Sequence, residues 1–385
     1  MSRPFERLTR LPKNSFFLFG ARGVGKSTWA KAILPAARRF DLLDEALYQS
    51  LLAEPSLFAD ELRTLASGSW VVIDEVQRVP GLLNEVHRMI EERRLRFALL
   101  GSSARKLKTV GTNLLAGRAV WKVMYPFVPT ELGAAFDLPR ALRFGTIPLV
   151  WAAADPEATL SAYVRLYLKE EIRGEALVRN LPSFVRFLPI AALSHGQVVN
   201  VSGLARDSGT ARTTVNGYLE ILEDTLLAQR LPAYEARLRV RERKHPKLYW
   251  LDPGLVRAVK NQLGPVAAEE AGPLFEGWVL TVLRAHGEEG RLFDEIAYWS
   301  PLQAGGVEVD FLLSRGKELL AIEVKSQRRF TPQLLAGLKA IAELPGLVRR
   351  ILLYRGDRAL KTADGIEVWP VEQFLTALAE ARLWP

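Results

Sequence analysis

The chain has 385 residues, a length that predicts two to four domains at roughly 100–200 residues per domain. Hydrophobic residues make up 49% and charged residues 25%, an ordinary globular balance that excludes a disordered or collagen-like chain. The absence of cysteine excludes disulfides, a cysteine nucleophile and thiolate metal sites. Lys and Arg outnumber Asp and Glu by 52 to 43, and the resulting net charge of +9 favours a polyanionic partner.

Membrane and secretion signals are missing from the sequence. No stretch approaches the ~20 apolar residues of a membrane helix. The basic N-terminus lacks the continuous apolar segment and the small-residue cleavage site of a signal peptide. We therefore expect a cytoplasmic protein that does not bind membranes.

The first part of the chain alternates predicted strands and helices. Short, continuously apolar runs occur at 15–19, 69–73 and 96–100, and a helical stretch begins at Lys26. Continuous apolarity is typical of strands that are buried on both faces of a parallel sheet. Residues 1–130 are therefore predicted to form an α/β domain.

A phosphate-binding motif lies between the first predicted strand and helix. Residues 20–27 (GARGVGKS) satisfy G-x-x-x-x-G-K-[ST]. Backbone N–H groups of such a loop and the helix N-terminus bind phosphate oxygens. Lys26 is expected to reach the β- and γ-phosphates of ATP, and the Ser27 hydroxyl to ligate Mg²⁺. The predicted ATP-binding residues are Gly20, Ala21, Arg22, Gly23, Val24, Gly25, Lys26, Ser27 and Thr28.

Two carboxylates follow the second apolar run. Asp74 is expected to complete the Mg²⁺ ligands, and Glu75 to act as the general base on the attacking water. Ser102, after the third run, is expected to sense the γ-phosphate or to orient the water. The candidate cations for the transition-state charge, from the same chain or a neighbouring subunit, are Arg22, Arg105 and Arg118. The predicted catalytic residues of this site are Lys26, Glu75, Ser102 and Arg118.

Residues 131–262 are predicted to form a helical and winged-helix domain. Helical patterns cover 157–173 and 184–230, and 201–219 has the pattern helix, turn at Gly209, helix. The first turns of the second helix would contact bases or phosphates of DNA. The residues predicted for this contact are Arg212, Thr213, Thr214 and Asn216.

A basic strand is predicted within 226–250. Arginines at every second position project from one face of a strand, about 6.6 Å apart, a spacing that suits a phosphate backbone. The residues are Arg237, Arg239, Arg241 and Arg243, followed by Lys244. The alternative is a winged helix used for packing or subunit contacts, with these arginines facing carboxylates.

Residues 263–385 are predicted to form a second α/β domain after a linker at 261–265. A helix is predicted at 274–286, strands near 295–299, 307–313 and 319–324, and a further helix at 331–343. Asp310 and Glu323 would bind Mg²⁺ or Mn²⁺, and Lys325, on the same strand face as Glu323, would orient the water for phosphodiester attack. Glu276 on the helix would complete this nuclease-like set.

These motifs together resemble a known family. Residues 73–83 (IDEVQRVPGLL), 101–103 (GSS) and 115–118 (LAGR) resemble a prokaryotic family of AAA-type P-loop ATPases. Residues 163–172 resemble the segment that opens the second half of that family. The ordered D…E-x-K pattern resembles the restriction-endonuclease-like (PD-(D/E)XK) superfamily. The family usually has Gln and Thr where this chain has Gly23 and Ser27, and both changes are compatible with phosphate binding.

The resemblance implies an ATPase domain, a winged-helix region and a restriction-endonuclease-like C-terminal domain. It also implies a homo-oligomer, for which a ring is one arrangement, because AAA-type sites commonly need a neighbour's arginine. Two functions are predicted. The first is Mg²⁺-dependent ATP hydrolysis coupled to DNA binding and remodelling, with DNA cleavage left open. The second is a nucleotide-switched regulatory ATPase that binds a partner or DNA without cutting it.

Overall fold

A computed structural model describes residues 5–103, 115–168, 180–234, 245–301 and 307–385. Their contacts divide them into two compact units. The smaller unit contains the described residues within 9–125 and 221–227. The larger unit contains those within 1–8, 126–220 and 228–385. Apart from 221–227, the described residues of the predicted middle and C-terminal modules therefore lie in one unit, and the predicted boundary at 262/263 falls inside it.

The smaller unit is built on a five-stranded parallel sheet, as the apolar runs predict. Its strand order is β2-β3-β4-β1-β5, so β4 lies between β1 and β3. The strands are β1 (Phe16–Phe19), β2 (Arg38–Asp41), β3 (Trp70–Asp74), β4 (Arg96–Gly101) and β5 (Val120–Val123).

Helices cover both faces of this sheet, which explains why its central strands are apolar throughout. Phe17 and Phe19 of β1 share a core cluster with Phe58, whereas Phe16 contacts Trp29 edge-to-face on the other side. The helices are α1 (Lys26–Ile33), α2 (Glu45–Ala53), α3 (Ser56–Arg63) and α4 (Leu82–Arg93).

The larger unit begins with short helices that start at prolines. Pro129, Pro139, Pro148 and Pro156 each occupy the first or second helical position, where the missing N–H has no intrahelical partner. These helices are α5 (Pro129–Leu132), α6 (Leu138–Phe144), α7 (Pro148–Trp151) and α8 (Pro156–Ala162), and a π-helical turn (Tyr163–Leu168) follows.

Further helices and a small antiparallel sheet follow in the region predicted as winged helix. Gly209 has a φ of +63° and ends one helix before the next begins. The helices are α9 (Leu181–Leu193), α10 (Val201–Ser208), α11 (Arg212–Asp224) and α12 (Pro253–Val259). The sheet has the order β6-β8-β7, with β6 (Gln197–Val198), β7 (Ala228–Leu231) and β8 (Lys247–Trp250).

The segment predicted as a linker is bound to the helices on either side of it. Arg257 of α12 is 1% exposed, and its guanidinium donates to the carbonyls of Gly264 at 2.8 Å and Pro265 at 3.2 Å. It also pairs with Glu270 at 3.0 Å. The Gly-Pro composition therefore marks a turn that is fixed in the larger unit, and the prediction of a linker is wrong.

A long helix and a six-stranded mixed sheet complete the larger unit, with the order β13-β14-β12-β11-β10-β9. The predicted helix at 331–343 is instead a 3₁₀ turn over Pro332–Leu335 followed by a short helix that ends at Ala340. The strands are β9 (Glu295–Trp299), β10 (Val309–Arg315), β11 (Glu318–Lys325), β12 (Leu347–Tyr354), β13 (Leu360–Lys361) and β14 (Glu367–Pro370). The helices are α13 (Ala268–Gly290), α14 (Ala336–Ala340) and α15 (Val371–Ala379).

Candidate functional site

The glycine loop connects the carboxyl end of β1 to the first residue of α1. Gly23 and Gly25 have φ angles of +77° and +93°, which strain any residue with a side chain. A Cβ on Gly20 would lie 2.6 Å from the carbonyl oxygen of Met124. The three glycines are therefore needed for the loop conformation itself.

The Lys26 ammonium is held against this loop. Lys26 is only 5% exposed, and its Nζ donates to the carbonyl oxygens of Gly20 at 2.7 Å and Ala21 at 3.4 Å. The positive charge predicted to meet the phosphates therefore lies at the loop whose backbone is predicted to bind them. Thr28 lies in the first turn of α1.

Ser27 and Asp74 lie together although 46 residues separate them in sequence. The Ser27 hydroxyl donates a hydrogen bond to the Asp74 carboxylate. Burial raises the pKa of Asp74, and the Ser27 hydrogen bond opposes that rise. One hydroxyl and one carboxylate are hard oxygen donors, which Mg²⁺ prefers. The residues present therefore fit the predicted ion.

Glu75 is fixed through both its backbone and its side chain. It follows β3 with a φ of +56° and a ψ of +44°, a left-handed conformation that is uncommon for a residue with a side chain. Its Oε2 accepts hydrogen bonds from the amide of Gln77 and, at 3.1 Å, from the Ser102 hydroxyl. The Gln77 amide also donates to Ser102 Oγ at 3.0 Å.

Gln77 was not among the predicted site residues. The signal available in the sequence is its position two residues after Glu75, in the turn that ends β3. Gln77 is 1% exposed, and a Cβ on Gly101 would lie 2.6 Å from its Oε1. Gly101 therefore leaves the space that Gln77 needs in order to reach both Glu75 and Ser102.

Arg118 lies at the other edge of the sheet. It precedes β5, and Val120 of β5 pairs with Phe16 at the amino end of β1, whereas the glycine loop follows the carboxyl end. The Arg118 guanidinium donates to Glu91 and is 37% exposed. Within one chain, Arg118 is therefore not brought to the loop. Arg105 lies outside the described residues, and Arg22 lies in the loop itself.

A second group of carboxylates meets in the larger unit, and we call it the acidic cluster: the predicted residues Glu276, Asp310 and Glu323, and Glu308, which was not predicted. Asp310 is 3% exposed, and its Oδ2 accepts the backbone N–H of Val324 at 2.8 Å. Glu323 forms an ion pair with Lys325, so these two side chains share a strand face as their spacing predicts. Burial, followed by the charge of Asp310, raises the pKa of Glu276 and of Glu323 to about 8.

Lys247 of β8 enters this cluster, which the sequence analysis did not predict. Its Nζ lies 3.0 Å from Glu308 Oε1, 3.3 Å from Glu276 Oε1 and 3.7 Å from Asp310 Oδ1. Although burial opposes it, these three negative charges raise the pKa of Lys247. The available signal was a lysine at the start of the apolar run 247–250.

The donor set of the acidic cluster does not fit a divalent metal. Each of the two predicted metal ligands already faces an ammonium of the chain, since Asp310 lies 3.7 Å from Lys247 Nζ and Glu323 pairs with Lys325. In the part of the chain that the structure describes, no group of three or more His, Asp or Glu side chains is arranged to hold a metal ion. The predicted metal role of Asp310 and Glu323 is therefore not supported by their surroundings.

The predicted DNA-contacting residues of α11 lie on its outer face. Arg212, Thr213 and Asn216 are exposed and Thr214 is half-buried, whereas Val215 is buried. The predicted basic row, from Arg237 to Lys244, lies outside the described residues. Among the helices that the structure describes, none is long and apolar enough to cross a membrane.

Three family models match consecutive parts of the chain. Residues 12–133 match an AAA domain. Residues 135–265 match a domain of unknown function, DUF8612, and residues 271–374 match another, DUF4143. The AAA match and the parallel sheet around the glycine loop support an AAA-type ATPase domain in the smaller unit.

Similar proteins cover most of the chain. An uncharacterised protein of Mycobacterium tuberculosis is 27% identical over 369 residues, which span 93% of this chain and 80% of that protein. An uncharacterised protein of Haemophilus influenzae is 25% identical over 330 residues, which span 80% and 77%. The solved structure of the Aeropyrum pernix ORC1 protein in complex with DNA matches 66% of this chain and 87% of that chain at 16% identity. Its TM-score is 0.27, too low to carry an argument about this chain.

Proposed function

We propose that the chain is a Mg²⁺-dependent ATPase. The observation that carries the proposal is that Lys26, Ser27, Asp74 and Glu75 all lie at or just after the carboxyl ends of strands in one parallel sheet. This is the edge at which α/β sheets bind ligands. Ser102 follows β4. In the sheet, β4 lies between β1, which precedes the glycine loop, and β3, which leads to the two carboxylates.

Each side chain has a distinct role in this proposal. Lys26 and the loop N–H groups would bind the phosphates, and Glu75 would take the proton of the attacking water. Gln77 and Ser102 would hold the Glu75 carboxylate in place through the hydrogen bonds described above. Ser27 and Asp74 would hold Mg²⁺, which when bound neutralises charge on the phosphate oxygens.

The direct test is ATP hydrolysis by the natural chain and by Lys26→Ala, with Lys31→Ala on the exposed face of α1 as the matched control. We expect Lys26→Ala to lose ATP binding and turnover together, because the loop loses the ammonium that lies against the Gly20 carbonyl. Equal turnover in the natural chain and Lys26→Ala would contradict the proposal.

We further propose that α10, Gly209 and α11 form a helix-turn-helix that binds DNA. The support comes from the outward position of Arg212, Thr213 and Asn216 and from the net charge of +9.

Replacing Arg212 with Ala should weaken binding to labelled duplex DNA and reduce the slope of log K against log salt by about one for a lost phosphate contact. Arg186→Ala, on the neighbouring helix α9, is the matched control. An unchanged affinity for Arg212→Ala would exclude α11 as the contact.

The position of Lys247 favours the second predicted function, a nucleotide-regulated ATPase that binds DNA or a partner without cutting it. ATPase rates with and without DNA, and incubation of labelled DNA with Mg²⁺ or Mn²⁺, separate the two functions. DNA-stimulated turnover without cleavage supports a remodelling ATPase. Slow turnover that DNA does not change supports the regulator, and cleavage that Asp310→Ala abolishes supports the nuclease.

A further inference from the structure

We propose that the acidic cluster takes its cation from within the chain. In this proposal the Lys247 ammonium holds the position that a divalent metal would need, and the cluster joins β8 to the C-terminal sheet instead of cutting phosphodiesters. The proposal concerns the larger unit and does not depend on ATP hydrolysis by the smaller one.

The ammonium is surrounded by carboxylates from separate elements. Glu276 lies on α13 and Asp310 on β10, and Glu308 is the residue just before β10. Their oxygens lie 3.0–3.7 Å from Lys247 Nζ, which also lies 5.5 Å from the ring centroid of Tyr298. The Glu308 and Glu276 distances are those of hydrogen-bonded ion pairs, and the Asp310 distance is that of an ion pair without a hydrogen bond.

A metal ion and this ammonium compete for the same oxygens. Mg²⁺ needs six oxygen ligands at about 2.0–2.1 Å, closer than any of them lies to Lys247. A divalent ion among these oxygens would also be repelled by the Lys247 ammonium, because that residue is 2% exposed and its charge is little screened by water.

The remaining oxygens of the cluster do not replace the ones that Lys247 occupies. Asp310 Oδ2 accepts the Val324 N–H, the Tyr249 hydroxyl donates to Glu276 Oε1, and Lys325 pairs with Glu323 Oε1. Glu323 Oε2 is buried without a hydrogen-bond partner among the described residues. Of the four oxygens on the two predicted metal ligands, Asp310 and Glu323, these contacts therefore leave Glu323 Oε2, which supplies one of the six ligands that Mg²⁺ needs.

Backbone contacts around Lys247 show that its position belongs to a continuous packed region. The N–H of Tyr298 in β9 donates to Pro232 at 2.9 Å, and its carbonyl accepts from Tyr234 at 2.7 Å. The Tyr298 hydroxyl donates to the carbonyl of His245 at 2.7 Å, two residues before Lys247. The strand that supplies the ammonium is therefore attached to the sheet that supplies the carboxylates.

The test is Mn²⁺ binding to the full chain without nucleotide, followed by electron paramagnetic resonance. The variants are Asp310→Asn, Lys247→Ala, the double variant, and Lys317→Ala in the exposed β10–β11 turn as the matched control. We expect the natural chain, Asp310→Asn and Lys317→Ala to bind Mn²⁺ equally. Lys247→Ala should bind one further Mn²⁺ at least tenfold more tightly than the natural chain, and the double variant should lose that gain.

Two results would overturn the proposal. One is a Mn²⁺ site in the natural chain that Asp310→Asn weakens tenfold or more. The other is a folded Lys247→Ala whose Mn²⁺ affinity equals that of the natural chain. If Lys247→Ala does not fold, the comparison of Mn²⁺ binding between the natural chain and Asp310→Asn still tests the proposal. Equal Mn²⁺ binding by these two, with no Mn²⁺-dependent DNA cleavage by the natural chain, supports the internal cation, and Asp310-dependent binding or cleavage contradicts it.

Discussion

Glu75 combines a strained backbone with a side chain that is held by two neighbours. A left-handed conformation costs a residue other than glycine roughly 1–3 kcal/mol, so the surrounding contacts must maintain it. The 3₁₀ turn at Val76–Arg78 begins directly after Glu75 and brings Gln77 back to its carboxylate. The turn thus positions both the proposed base and the residue that orients it.

Gln77→Ala tests this positioning role. A hydrogen bond to a charged group contributes about 1.5–3 kcal/mol, so its loss should lower kcat about tenfold or more. Because Gln77 is not proposed to touch the phosphates, the Kd for ATP should change less than twofold. Gln49→Ala in α2, which is exposed, should leave both quantities unchanged. A parallel loss of ATP affinity would show that Gln77 supports the loop instead of Glu75.

His195 gives the larger unit a specific pH dependence. Its Nδ1 accepts the Trp250 N–H at 3.0 Å, and its Nε2 lies 3.0 Å from the Pro273 carbonyl, so the neutral ring is the one that fits. Burial, with a smaller contribution from the charge of Lys260, lowers the pKa of His195 from 6.5 to about 4. The unfolded chain therefore binds this proton first as the pH falls.

The neutral His195 ring should contribute fully to the free energy of unfolding above pH 6.5. As the pH falls towards 4, this contribution should be lost, roughly 3 kcal/mol in total. Burial raises the pKa of Asp252 to about 6, which acts in the opposite direction over part of this window. We therefore compare the natural chain with His195→Asn, in which Asp252 is unchanged. Their difference in unfolding free energy, measured in urea, should shrink as the pH falls from 7 to 4.5. A constant difference would contradict the assignment of a buried neutral ring.

At the scale of elements, the sequence predicts what depends on local pattern. The apolar runs at β1, β3 and β4 identify strands because both sheet faces are covered, and the glycine loop is specified by eight consecutive residues. The contact between Glu75 and Ser102 could also be predicted, since both residues follow neighbouring parallel strands. The contact between Lys247 and Glu308 could not be predicted, because 61 residues separate them and no local period relates them.

Arg257 shows a second limit, since a Gly-Pro segment whose composition predicts a linker is held by a guanidinium only seven residues before Gly264. Arg257→Met should destabilise the larger unit by about 1–3 kcal/mol, because the carbonyls of Gly264 and Pro265 would lose their donor and the half-buried Glu270 its main partner. Denaturant unfolding followed by tryptophan fluorescence measures this change. Arg206→Met, at an 80% exposed side chain of α10, should change stability by less than about 0.5 kcal/mol. Equal stabilities of the two variants would show that the segment is not anchored by Arg257.

At the scale of the whole molecule, Arg118 lies at the edge of the sheet opposite the glycine loop. If Arg118 acts on the phosphates, it does so on another copy of the chain, as the predicted homo-oligomer requires. The ion pair with Glu91 is exposed, so it presents little barrier to such an exchange of partners.

Mixing two inactive variants tests this arrangement. Arg118→Ala and Lys26→Ala should each lose most ATPase activity. Mixed subunits should regain part of it, because some interfaces then pair an intact loop with an intact Arg118. The measurement is the steady-state ATPase rate against the mixing ratio, with Arg63→Ala, an exposed arginine of the same unit, as the control. Full activity of Arg118→Ala alone would remove this residue from the reaction.

The most direct measurement of the central claim compares Mg-ATP binding and single-turnover hydrolysis in the natural chain, Glu75→Gln and the exposed control Glu54→Gln. The account predicts that Glu75→Gln binds Mg-ATP within about twofold of the natural chain and hydrolyses it about 10²–10⁴-fold more slowly. Glu54→Gln should match the natural chain in both respects. Hydrolysis by Glu75→Gln at the natural rate, or no uptake of Mg-ATP by the natural chain, would contradict the account.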